Sequence, residues 1–339
     1  MIITQTPFRM SFFGGGTDME EFFLENGGSV LSTTFDKYCY VNVRHLPRFF
    51  DYSTELSYSK TERVNDIKDI QHPAIRNAMQ MLDMHEIRLT YEADLPARSG
   101  LGTSSSFAVG MLNAFYALKG KYADKKKLAD EAIYLERELC QEAGGWQDQI
   151  AASFGGFNRI NFNQDGTYDV LPIIISPERK KRLNSNLMMF FTGFTRFSSD
   201  VQKANAATKE TKEEKKQRLL EMLSLVDEAE SILVDQTKDL DDFGRLLNHT
   251  WQLKKQTGNA VSTSNIDILY DKGMKAGALG GKLLGAGGGG FLVFYVQPEY
   301  QSAVKEALKE LMYIPFQFED GGTKVIHYTP ESYIPQGEE

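Results

Sequence analysis

Residues 285–290 read Gly-Ala-Gly-Gly-Gly-Gly, six consecutive positions that share one side-chain methyl. Ordering such a run is costly, because glycine loses more conformational freedom on folding than any other residue. It makes sense where another backbone or a ligand must come very close. A helix cap followed by a bulge explains one or two of these glycines, not five. The ligand reading sets Gly287 and Gly288 against a substrate. The run lies between a stretch read as a helix ending near Leu284 and the apolar FLVFYV, residues 291–296, read as a strand.

A second glycine segment, LPARSGLGTSSS at residues 95–106, follows the strand-like EIRLTYEA and precedes a helix-period run of Ala108, Met111, Leu112 and Phe115. Strand, glycine loop and helix start is an order that suits phosphate. The glycines let backbone approach the ligand, and the helix start offers unpaired N–H groups and a positive dipole end. The candidate phosphate contacts are Arg98, Ser99, Gly100, Leu101, Gly102, Thr103, Ser104, Ser105 and Ser106. A plain turn with an N-cap serine is the alternative. The segment lacks the lysine of GxxxxGK[ST], which disfavours a P-loop enzyme.

A third segment, PFRMSFFGGGTDMEEF at residues 7–22, places Arg9 and Asp18 on either side of a Gly14–Gly16 turn. A carboxylate there could bind sugar hydroxyls. Thr17 or Asp18 is also a good N-cap for the helical MEEFFLEN, and both roles are compatible.

At 339 residues with 41% hydrophobic content, the chain has material for two domains with apolar cores. The formal charge of −8 disfavours nonspecific nucleic-acid binding. Cys39 and Cys140 form no CxxC pair and read as buried thiols. The N-terminus lacks a secretory pattern and no apolar run is long enough to span a bilayer, so a cytoplasmic protein is expected. The first 95 residues read as strands (IITQTPF, MSFF, SVLSTTF, YCYVNVRHL, EIRLTYEA), followed by two amphipathic helices, the second marked by Leu128, Ala132, Leu135 and Leu139. A second unit begins near residue 184 with the strand LMMFF. It continues with helices over about 201–234 and 240–253, a helix from Glu299 and closing strands, giving an α+β arrangement. The expected division is therefore 1–183 and 184–339. The charge run KETKEEKKQR reads as a solvated helix face.

The three segments, taken in chain order, resemble the three motifs of the GHMP kinase superfamily, over nearly the whole chain. Within it, RMSFFGGGTD, LPARSGLGTSSS, GGWQDQIAASFGG, TGFTRFSS and GGKLLGAGGGGF resemble the heptose 7-phosphate kinases. The resemblance implies a two-domain α/β fold, with an N-terminal domain like domain 2 of ribosomal protein S5 and a ferredoxin-like C-terminal domain. It also implies transfer of the γ-phosphoryl group of ATP, with Mg²⁺, to the anomeric hydroxyl of D-glycero-D-manno-heptose 7-phosphate, within nucleotide-activated heptose synthesis. The partners would be ATP and a sugar phosphate; the oligomeric state is left open.

By the same resemblance, Asp148 is the catalytic aspartate and Arg9 the cation beside the acceptor and γ-phosphate. Asp18, with Gly15, Gly16 and Thr17, binds the sugar. Ser104 and Glu136 hold the metal, with Thr103 and Ser106 as secondary hydroxyls. Helical spacing adds support for Glu136, which shares a face with Ala129, Ala132, Leu139 and Ala143, whereas Glu138 falls among polar neighbours. A buried salt bridge is the competing role. Gly15 and Gly16 stand where galactokinases carry a Glu-His pair, which counts against galactose. A sugar phosphate needs a second anion site, for which Arg196 is the first candidate, with Arg44 and Lys203 behind it. A fucokinase-like enzyme and a silent sugar-binding regulator are the rival readings.

Overall fold

A computed structural model describes residues 1–97, 99–193, 211–256, 261–285 and 287–330. Among these the chain builds two sheets. The larger has β1 (Ile2–Phe13) and β2 (Gly28–His45) at its centre. IITQTPF and MSFF, expected as separate strands, are the single strand β1, and SVLSTTF and YCYVNVRH are the single strand β2. β-bulges at Pro7/Phe8 and Ser11/Phe13 let the two long strands stay paired while they curve.

β2 pairs along one half with β5 (Ile87–Ala93), which leads to β3 (Thr54–Ser57) and β4 (Thr61–Val64). Along its other half it pairs with β6 (Phe157–Phe162), which carries β7 (Tyr168–Pro172). α1 (Glu20–Asn26) and α2 (Pro73–Met81) are short. α3 (Thr103–Leu118) is buried around most of its circumference and lies so close to the sheet that the Thr4 hydroxyl donates to the Gly110 carbonyl at 2.9 Å. α4 (Lys125–Tyr134) and α5 (Gln147–Phe154) pack beside it.

After α6 (Pro177–Asn186), which contains residue 183, β8 (Leu187–Phe191) opens the smaller sheet. Then come α7 (Lys212–Val234), α8 (Asp241–Lys255), α9 (Ser264–Lys275), β9 (Gly280–Leu283), β10 (Phe291–Tyr295), α10 (Gln301–Ala307) and β11 (Met312–Ile314). The antiparallel order β11-β8-β10-β9 is that of a split β-α-β unit. Sequence reading extended a helix to Leu284. The helix instead ends at Lys275, and Gly280–Leu283 pairs with β10 as a strand. The chain then returns: β12 (Phe318–Glu319) pairs with β2 and β13 (Lys324–Tyr328) pairs with β1.

One apolar core joins the two sheets. Phe12 and Phe13 of β1 meet Phe243 of α8 edge-on at 5.3 and 5.1 Å. Such aromatic contacts contribute roughly 1 kcal/mol beyond burial. The charge run is largely exposed from Thr211 to Gln217, where Lys215 and Lys216 reach Glu21 and Glu25 of α1, but its last residue, Arg218, is buried. Cys39 is buried and Cys140 half-buried, and both are free thiols. No helix among the described residues is long and apolar enough to cross a membrane.

Candidate active site

β1 carries Arg9 beneath the glycine loop that precedes α3. The Arg9 amide donates to the Leu101 carbonyl at 3.1 Å, and its guanidinium donates from Nη1 to the Gly100 carbonyl and from Nε to Asp148 Oδ1, each at 2.7 Å. The Arg9 side chain is 6% exposed and that of Asp148 26%, so the carboxylate is the solvent-facing member of the pair. Asp148 sits in the first turn of α5.

Gly102 caps α3 with φ +70°, a left-handed conformation, and a Cβ there would lie 3.2 Å from Arg9 Cγ and 3.4 Å from Asp148. The start of α3, with its unpaired N–H groups, therefore opens directly beside the Arg9–Asp148 pair. Ser104 in this first turn is exposed and Thr103 is buried. Ser99 is fully buried, with a hydroxyl that has no hydrogen-bond partner among the described residues. Leu101 is part of the apolar core and anchors the loop. Ser106 donates to the Pro7 carbonyl at 2.9 Å, a structural bond that ties α3 to β1. Arg98 lies outside the described residues.

On the other side of Asp148, the Gly14–Gly16 turn is built by Thr17, whose hydroxyl donates to the Gly14 and Ser29 carbonyls at 2.8 and 2.9 Å. Thr17, expected against the sugar, is fully buried in this role. Asp18 accepts from the Gly16 amide at 2.9 Å and from Gln147 Nε2 at 3.0 Å. Burial, and then the charge of Asp148, raises its carboxyl above the usual carboxylate range. Gly15 has open space at its Cα.

Glu136 lies in a π-helical turn, Leu135–Leu139, that extends α4. It is buried while Glu138 is exposed, as the face argument expects. Leu139, expected in the same apolar face, is 36% exposed, because a π turn holds more residues than an α turn and rotates the residues beyond it. Ser105 donates to Glu136 Oε2 at 2.7 Å, Gln149 donates to the same oxygen, and Arg137 Nη2 stands 3.6 Å away. Burial nonetheless pushes the Glu136 carboxyl up to about 7. The structure thus connects Ser105, rather than Ser104, to this carboxylate.

The glycines of residues 285–290 meet protein backbone. Gly100 and Gly285 touch: a Cβ on Gly100 would lie 2.3 Å from the Leu284 carbonyl oxygen. The Gly288 amide donates to the Val261 carbonyl at 3.0 Å, and Gly287 packs against the same residue. The close approach expected of Gly287 and Gly288 is therefore made by the chain itself, and the segment buttresses the loop before α3.

Arg196 and Lys203 lie outside the described residues. Arg44 pairs in register with Arg88, whereas Arg9 faces Thr34, ten positions earlier on β2. At about 3.3 Å per residue, that puts Arg44 roughly 33 Å from the site, too far to hold a substrate phosphate. Sequence reading missed two cations. Lys282 of β9 is 3% exposed and donates to the Phe12 carbonyl at 2.7 Å, and Lys254 at the end of α8 donates to the Gly285 carbonyl. Burial, and then Arg9, lowers the Lys254 ammonium to about 8. Burial, and then Lys254 and Arg9, holds Lys282 well below the ordinary lysine value.

This two-sheet fold sets a glycine loop and a helix start beside an arginine–aspartate pair. The chain belongs to the GHMP kinase family and is a sugar kinase by class: residues 68–156 match the model of the GHMP kinases N terminal domain and residues 227–314 that of the GHMP kinases C terminal region. It is 31% identical, over 95% of its length and 98% of the relative's, to the D-glycero-alpha-D-manno-heptose 7-phosphate kinase of Campylobacter jejuni. It is also 26% identical, over 89% of its length but 35% of the relative's, to an L-fucokinase/L-fucose-1-P guanylyltransferase of Bacteroides fragilis. Its fold matches the crystal structure of a D-glycero-D-manno-heptose 1-phosphate kinase from Bacteroides thetaiotaomicron with a TM-score of 0.76, at 24% identity and covering 96% of this chain and 99% of that one.

Proposed function

We propose that the enzyme transfers the γ-phosphoryl group of ATP to the anomeric hydroxyl of D-glycero-D-manno-heptose 7-phosphate, giving the 1,7-bisphosphate for nucleotide-activated heptose synthesis in the cytoplasm. The observation that carries the chemistry is the Arg9–Asp148 pair at 2.7 Å, set between the start of α3 and the Gly14–Asp18 turn. The acceptor is supported by the similarity to the C. jejuni heptose 7-phosphate kinase.

Asp148 accepts the proton of the attacking hydroxyl, early as a base or late in a loose transition state. Arg9 orients that carboxylate and stabilises charge on the phosphoryl group in transit. The loop of residues 98–106 cradles the ATP phosphates. Asp18 has lone-pair capacity beyond its protein donors and accepts from a sugar hydroxyl, with Gly15 and Gly16 leaving room for the ring.

Mg²⁺ fits the oxygen donors here, since Glu136 is a buried carboxylate faced by Arg137 only at 3.6 Å and the Ser104 and Ser105 hydroxyls stand in the adjacent turn of α3. Glu136 with one of these serines would hold the ion. Bound there, it would screen the phosphate charge. We further propose that residues 1–183, completed by β12 and β13, form the ATP-binding unit, and that the remainder of 184–339 forms the second unit.

A fucokinase-like activity is the second reading, supported by the B. fragilis similarity. ATP consumption across heptose 7-phosphate, unphosphorylated mannoheptose, mannose 6-phosphate, fucose and galactose, with an Asp148→Asn control, separates the two. Turnover of only an unphosphorylated sugar would sink the heptose phosphate assignment, and no turnover at all would leave a silent sugar-binding regulator.

A further inference from the structure

Three consecutive residues at the start of α5 turn to three different groups of the site. Asp148 accepts from Arg9 at 2.7 Å, Gln149 donates to Glu136, and Gln147 donates from Nε2 to Asp18 Oδ2 at 3.0 Å. Successive residues of a helix point about 100° apart, so one turn can serve three directions. The Gln147 contact is the one at the acceptor end.

The chain is built closely around it. Gly145 passes so near Asp18 that a Cβ there would lie 1.9 Å from Oδ2, and the Trp146 amide donates to the Asp18 main-chain carbonyl at 3.2 Å. Asp18 Oδ1 accepts from the Gly16 amide at 2.9 Å, whereas the donors to Oδ2 are the Gln147 side chain and, at 3.4 Å, the Gln147 amide. Among the described residues, Gln147 is thus the side-chain donor to Asp18. The residue is 3% exposed, and burial and then the charge of Asp148 favour its neutral form, which these donors oppose.

Charge decides which end of the amide meets Asp18. An ionised carboxylate only accepts, so it draws the NH₂ end, and a reversed amide would set two acceptors together. The far oxygen, Gln147 Oε1, is buried with no hydrogen-bond partner among the described residues, so the contact with Asp18 is what orients the side chain.

We infer that Gln147 is a positioning residue for the acceptor, holding the Asp18 carboxylate in place to receive a sugar hydroxyl. This rests on the sugar-kinase reading above and deepens it. Gln147 and Asp148 are adjacent in the chain, so the group that fixes the acceptor and the group that takes its proton are set by one dipeptide.

The test is steady-state kinetics of wild type, Gln147→Met, Gln147→Glu, Asp18→Ala and the double variant Asp18→Ala/Gln147→Met. The substrates are Mg-ATP and heptose 7-phosphate, or whichever sugar of the panel above the wild type turns over best. Loss of a hydrogen bond to a charged group corresponds to roughly tenfold to a hundredfold, and such a rise in acceptor KM is expected for Gln147→Met. Gln147→Glu should lose at least as much, because it keeps the shape but replaces the donor with a like charge. KM for ATP and kcat should each move by less than about threefold. In the Asp18→Ala background the methionine should add less than about threefold to the loss in kcat/KM, since its action runs through Asp18. An unchanged acceptor KM, a fall in kcat alone, an equal rise in KM for ATP, or the full penalty retained without Asp18 would each overturn the role. Should Gln147→Met fail to fold, Gln147→Glu and its double variant with Asp18→Ala carry the same test. A wild-type enzyme that turns over no sugar refutes the sugar-kinase reading and the Asp18 role with it, whereas wild-type turnover with unaltered variants refutes only Gln147.

Discussion

The hydroxyl of Ser105 donates to Glu136 at 2.7 Å, while the neighbouring Ser104 is exposed at the mouth of α3. The two serines therefore fail in different ways. Ser105→Ala is expected to lower stability by about 1–3 kcal/mol, the cost of leaving a buried carboxylate one bond short. Ser104→Ala should leave the urea midpoint in place and raise KM for Mg-ATP. Equal effects on both quantities in both variants would contradict this division.

Asp148 and Arg9 form one unit, so their losses should not add. Asp148→Asn is expected to lower kcat by about a hundredfold to ten-thousandfold, as for a positioned general base. Arg9→Met should cost a comparable factor, and the double variant little more than the worse single one. Additive losses in kcat would show that the 2.7 Å pair has no joint role.

Gly100 has φ +83°, and its Cα faces the Leu284 carbonyl. Gly100→Ala combines an unfavourable backbone with a clash against main chain, so a loss of more than about 2 kcal/mol in urea unfolding is expected. Gly15→Ala has open space around it, and its unfolding midpoint should stay close to wild type.

Lys254 ties stability to pH with a sign opposite to that of a salt-bridged lysine. Its folded value of about 8 lies below the unfolded one of 10.5. Between these values the unfolded chain holds a proton that the folded chain lacks, so stability rises with pH there, and below about 8 the folded protein carries the whole cost of the charge. The groups facing it are Arg9 and Lys282, with Asp148 beyond Arg9 and Lys255 held by Asp267. Lys254→Met is expected to raise Tm at pH 7 by at least about 2 °C, and the gain should shrink as pH rises through 8. A gain that stays constant to pH 10 would assign the effect to packing.

Much of the candidate site could be read before the fold was known, because glycine segments and polar residues inside apolar stretches are conspicuous. Arg9, Asp18, Glu136 and Asp148 converge on the region between β1, α3 and α5. Lys282 stayed hidden because GGKL is a four-residue strand with two glycines and no alternation, which reads equally as a helix end. Lys254 stayed hidden because a lysine in the last turn of a helix is ordinary dipole complementation. Thr17 and Gly287 were legible as residues but not as roles. Whether a hydroxyl or a bare Cα meets a ligand or a neighbouring carbonyl depends on tertiary contacts that spacing does not encode.

The return of β13 to β1 carries a consequence for synthesis. Until residues 324–328 leave the ribosome, the first residues of β1, Ile2 to Gln5, remain an edge with one side of their backbone unpaired, available to any passing strand. The nascent chain must therefore wait with the start of β1 open, and a truncation just before β13 should yield aggregation rather than a smaller working enzyme.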